Sequence, residues 1–181
     1  MTLMAYNAPS LPLPPMENLS QPDDYTSPDC FRLEELEVFQ SIEGQLLADV
    51  NYYLWLNQAD DGAIPYRFLY ALELVFDSND SLLLSSGEDS EAIRVIAAET
   101  LLETARQLQQ LHGKISIQRV SAGAQPLWLA AIGKMLEGIR LSRNDAGLYL
   151  NDALLLDFGK RRIMVRLSEK EGLELIMNDE L

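Results

Sequence analysis

"ALLLDFGKRRIMVRLSEKEGLELI", Ala153 to Ile176, is the stretch from which the rest of the chain is read. Three apolar runs are separated by two polar turns, "GKRR" and "SEKEG". The alternation has period two, which belongs to strands, whose successive side chains point to opposite faces of a sheet. An earlier stretch, "ALELVFDSNDSLLLSSGEDSEAIRVI" (Ala71 to Ile96), matches it. Ala71, Leu72, Leu74 and Phe76 stand against Ala153, Leu154, Leu156 and Phe158; after the turn, Leu82, Leu83 and Leu84 stand against Ile163, Met164 and Val165. Ile93 and Val95 then answer to Leu173 and Leu175. Further upstream, "GQLLADV" (Gly44 to Val50) matches "GKMLEGI" (Gly133 to Ile139), the copies differing mainly by a longer first loop, "NQADDGAIPY".

Each unit therefore reads as a four-stranded antiparallel meander with one apolar face, which a single copy would leave in water. The expected fold is α+β: two related meanders, about 42–96 and 132–177, forming an internal pseudo-repeat and packed as a sandwich or a continuous curved sheet. One main helix is expected between them, over about 97–112. In "AAETLLETARQLQQLHG" the residues Ala98, Leu101, Leu102, Ala105 and Leu108 recur at helical spacing, and Gly113 stands where a helix stop is expected. "RLEELEVFQSI" is compatible with a short helix leading into Gly44, "KISIQRV" with a strand and "SAGAQPLWL" with a turn.

Residues 1–29 contain six of the eight prolines, which remove backbone donors and fix φ, so this stretch reads as an extended arm preceding a single domain over 30–181. Its beads Leu3, Met4, Tyr6, Leu11 and Leu13 suit docking along a groove. The opening "MTLMAYNAPSLPLPP" has no basic residue and does not read as a signal peptide. With 48% hydrophobic and 23% charged residues and no apolar run near the roughly 20 residues of a membrane span, the expectation is a soluble, cytoplasmic protein. A lone Cys30 and a lone His112 leave no intrachain disulfide and no Cys/His zinc set.

Charge is unevenly placed. Residues 1–90 hold 16 acidic and 2 basic side chains, and the remainder holds 12 of each, so 16 − 2 accounts for the whole formal charge of −14. Such a surface repels nucleic acid and anionic lipid and steers toward a basic partner. The loops "NQADDGA" and "SSGEDSE" supply the candidate docking residues Asp60, Asp61, Glu88 and Asp89. Lys160, Arg161 and Arg162 form the densest basic cluster; they are expected in a hairpin turn, where they discourage edge pairing or form a contact between copies of the chain. Trp55, Trp128, Tyr52, Tyr53, Tyr66 and Tyr70 suit either a strand core or an interface.

Other motifs carry less. "DSNDSLLLSSGE" (Asp77 to Glu88) spaces its oxygen ligands like a calcium loop, but Leu82 occupies the position that needs glycine. No nucleophile elbow, phosphate-cradling glycine loop or zinc-protease motif occurs, so no catalytic residue, metal or cofactor is assigned. The function expected is a non-catalytic acidic binding protein that docks a basic partner, as an inhibitor or a toxin-immunity protein would. Self-association through the arm and the sheet edges is the first alternative, and a small-ligand binder or an enzyme using a pocket between the meanders is the second.

Overall fold

The computed structural model describes residues 27–57, 66–87 and 90–179. Helix α1 (Leu33–Ile42) is followed by β1 (Leu47–Asn57), β2 (Tyr66–Phe76), β3 (Ser81–Ser85) and β4 (Arg94–Val95). Then come α2 (Ala98–Leu111), β5 (Ile115–Ser121), the single turn α3 (Pro126–Leu129), β6 (Gly138–Arg140), β7 (Ala153–Phe158), β8 (Arg161–Ser168) and β9 (Gly172–Met177). The nine strands among the described residues join one curled sheet in the order β4-β3-β2-β9-β8-β7-β6, with β1 branching from β2 and carrying β5 on its far side. The protein is thus mixed α+β, and every pairing in the sheet is antiparallel except that of β2 with β9.

Alternation in the sequence becomes burial in the sheet. Leu72, Leu74 and Phe76 of β2, Leu82 and Leu84 of β3, Leu154, Leu156 and Phe158 of β7, and Ile163 and Val165 of β8 all enter one core with Trp128. Fully burying a side chain of this size contributes about 1.5–3 kcal/mol, so this inner face dominates the stability of the fold. Facing strands keep these residues opposite one another: Leu72 pairs with Leu84 and Leu74 with Leu82, while Leu154 pairs with Val165 and Leu156 with Ile163. The amphipathic α1 adds Phe39 and Ile42 to the same core.

The strands before α2 are tied to those after it by the β1–β5 pairing and at two further junctions. At the first, Gly44 N–H donates to Leu136 O (2.8 Å) and Gly133 N–H to Leu47 O (2.7 Å), flanking an antiparallel bridge between Leu46 and Met135. Both glycines have positive φ, +85° and +75°. At the second, Leu69 N–H donates to Glu171 O (2.8 Å) where β9 lies alongside β2. A Cβ on Gly172 would lie 2.3 Å from Leu69 O, so only glycine lets the backbones approach there.

The opposite face of β1, β2, β3 and β5 carries a second, smaller cluster of Phe68, Tyr70, Ala71 and Leu83, covered by Leu101 of α2. β1 runs to Asn57 and β2 begins at Tyr66, on either side of the loop expected at "NQADDGAIPY", because "NYYLWL" and "YRFLY" pair with each other. The placement of the basic cluster needs correction. The turn foreseen over 160–162 consists of Gly159 and Lys160, and Arg161 and Arg162 already belong to β8. Asp77 to Asp80 form a tight turn, and Leu82 to Leu84 are buried in β3. Among the described residues no helix is long and apolar enough to cross a membrane.

Candidate functional site

The described residues converge most clearly at a cleft beside the start of α1. Residues 27–30 turn sharply, with Cys30 N–H donating to Ser27 O, and are strapped to the sheet by one guanidinium. Arg94 of β4 donates to Pro28 O (2.7 Å) and Cys30 O (2.8 Å) and pairs with the Glu35 carboxylate at 3.0 Å. Glu35 occupies a position on the buried stripe of α1, where an unpaired carboxylate would be costly. Its oxygens also accept from Arg32 N–H (2.7 Å) and Val95 N–H (3.0 Å), which satisfies the charge and anchors both the helix start and β4.

Across from this strap, the chain leaving β3 is held by Ser86 N–H donating to Tyr70 O (3.0 Å) and Gly87 N–H donating to Ser85 Oγ (3.0 Å). Gly87 takes φ +71° to make the turn. A cleft of about 570 Å³ lies between the two segments, with Pro28 and Asp29 on one wall, Ser86, Gly87, Glu91 and Ala92 on the other, and Arg94 joining them. Asp29 and Glu91 are exposed, whereas the charge of Arg94 is already offset by Glu35. The cleft therefore presents carboxylates to solvent. Carboxylates so placed can attract a cation.

A second polar group lies on the sheet itself. Glu73 Oε2 accepts from Asn51 Nδ2 (3.0 Å) and the Tyr53 hydroxyl (3.1 Å), with Arg119 of β5 at 3.7 Å. Burial, reinforced by the negative charge of Glu73, raises the Tyr53 phenol above its usual value, so this hydroxyl is held protonated. Tyr52 is likewise raised by burial, opposed by the hydrogen bond it accepts from Trp128 Nε1 at 2.6 Å. These partners satisfy one another.

Of the residues foreseen from sequence, Asp60, Asp61, Glu88 and Asp89 lie outside the described residues, as do residues 1–26 of the arm. The basic cluster is divided. Lys160 is exposed in the turn, Arg161 pairs with Asp179 (3.4 Å) and Arg162 with the buried Asp157 (3.3 Å). Cys30 is buried, and among the described residues no group of three or more His, Cys, Asp or Glu is placed to hold a metal. Sequence reading did not single out Asp29 or Glu91. Glu91 stood in the quoted acidic loop, but Asp29 had no signal, since only the Arg94 strap brings it to the cleft. No protein family model matches the chain, and no curated protein or solved structure matches it either.

Proposed function

We propose that this chain is a non-catalytic binding protein that receives a basic segment of a partner protein, in the manner of an inhibitor or immunity protein. One observation carries the reading: the rim carboxylates Asp29 and Glu91 flank a cleft about 570 Å³ in volume on a protein of formal charge −14. Field lines from such a surface raise the encounter rate with cations, and the cleft gives a docked lysine or arginine a defined position. Nothing in this role requires nucleic acid, membrane or cofactor, and its setting is taken as the cytoplasm.

The framework behind the cleft we read as two copies of one sheet unit, 42–96 and 132–177, with an N-terminal arm ahead of them. Support comes from pairing register. Val50 pairs with Leu74 as Ile139 pairs with Leu156, and Leu84 pairs with Val95 as Val165 pairs with Leu175. The Gly44–Leu136 and Gly133–Leu47 hydrogen bonds exchange equivalent positions of the two units.

A titration of the ¹⁵N-labelled full chain with a short lysine-rich peptide tests the docking role. Amide shifts are expected at Asp29, Ser86, Gly87, Glu91 and Ala92, to shrink at high salt, and to vanish in Asp29→Asn/Glu91→Gln. Shifts centred elsewhere, or insensitive to salt, overturn it.

A further inference from the structure

Among the described residues the sheet ends on three strands: β4 with two residues, β6 with three and β5 with seven. An edge strand presents a row of unpaired N–H and C=O groups; the first two strands are short, and carboxylates accept from their backbones, Glu35 from Val95 N–H (3.0 Å) and Glu43 from Ile139 N–H (3.1 Å). β5 has no such protection. It pairs with β1 in unbroken register from Asn57↔Ile115 to Asn51↔Ser121, with neither a bulge nor a proline.

The helix beside it is also incompletely covered. α2 turns Leu101 and Leu108 inward, but Leu102 and Leu111 remain 64% and 76% exposed. A groove of about 380 Å³ runs between the flank of α2 formed by Leu102, Ala105, Arg106 and Gln109 and the Ser116–Ile117 segment of β5. Those four helix positions follow the i, i+3, i+4, i+7 spacing of a single face.

Charge selects the occupant. Residues 97–121 carry Arg106, Lys114 and Arg119 against Glu99 and Glu103, a local charge of 3 − 2 = +1 in a chain of −14. Two copies of this acidic protein repel each other least when this face leads, whereas a strongly charged partner finds no field here to prefer. We propose that β5 and the adjoining flank of α2 bind a second copy of the chain, with β5 pairing antiparallel to the partner copy's β5. A two-fold axis normal to the sheet gives that antiparallel pairing and sets both α2 helices on one face, flank to flank, with Leu102 and its counterpart beside the axis. The contact is separate from the acidic cleft, so either can fail without the other.

Light scattering of the full chain across a concentration series tests it. The expected result is twice the chain mass, with dimerisation strengthened by added salt, because screening relieves repulsion between acidic copies. Leu102→Glu/Ala105→Glu, both on the flank that lines the groove, should return the monomer mass with an unchanged far-ultraviolet circular dichroism spectrum. A wild type that stays monomeric at every concentration and salt, or a double variant that still dimerises, overturns the proposal. A nitroxide on Gln118→Cys, with Cys30 too buried to label, reads the geometry directly. Dipolar broadening that disappears on mixing with unlabelled chain is expected, and a dimer without broadening rules out the β5 pairing.

Discussion

The hairpins β2–β3 and β7–β8 present the same kind of inner face to one core but solve the problem of their outer faces differently. In β2–β3 the outer side chains Tyr70 and Leu83 are apolar, and α2 lies over them with Leu101. In β7–β8 the outer side is closed by cross-strand ion pairs. The buried Asp157 accepts from Arg140 (2.6 Å) and Arg162 (3.3 Å), and Arg166 of β8 pairs with Glu174 of β9 at 2.6 Å. A sheet face can thus be completed by burying apolar area under a helix or by pairing charges along the ladder. The first needs a large partner element. The second needs only complementary residues at register positions.

The sharpest test of the shared inner face is to truncate equivalent core residues. Leu74→Ala and Leu156→Ala remove side chains that are fully buried in the same cluster, and each should lower unfolding free energy by about 2–5 kcal/mol in urea denaturation. If one cost a great deal and the other almost nothing, the two hairpins would not contribute alike.

A smaller effect is expected on the ion-paired outer face. Asp157→Asn leaves Arg162 and Arg140 without their carboxylate in a site where Asp157 is only 3% exposed, and should cost about 1–3 kcal/mol by the same measurement. A neutral outcome would mean that packing, and not charge pairing, completes that face.

Smallest is a pH effect on the face of β1 and β2. The Tyr53 phenol is raised in the folded state above the ordinary 10.0, so the stability it lends is complete below pH 10.0 and is lost as pH rises through the folded value. Tyr53→Phe should make the alkaline decline in stability shallower, leaving the part due to Tyr52, and a spectrophotometric titration near 295 nm should lose one late-ionising phenol while that of Tyr52 remains. An unchanged alkaline slope would mean that Tyr53 titrates alike folded and unfolded.

The antiparallel sheet could be read from residues because a strand with one buried face writes its geometry into every second position. Leu72, Leu74 and Phe76, or Leu154 and Leu156, declare a strand whatever lies across from them. The length of β1 could not be read that way. "NYYLWL" has apolar residues on both sides, since it faces the main core with Tyr52 and the α2-covered cluster with Tyr53 and Trp55, so period two is lost. The candidate cleft was half legible. The acidic loop containing Glu91 was visible as composition, but Asp29 reaches the cleft only because Arg94, 65 positions along the chain, gathers the carbonyls of Pro28 and Cys30.

The sequence by itself determined the strand-rich α+β character, the confinement of excess acid to residues 1–90, and the identity of the residues able to line a core, because each depends on local spacing and composition. Only the tertiary structure decided that β9 lies alongside β2 at Gly172, that β5 is left as the long edge, and that Arg161 and Arg162 are taken up by Asp179 and Asp157. Those outcomes depend on which backbones approach in space, and that is set by chain closure over long separations and by side-chain packing, neither of which leaves a periodic trace in the residues concerned.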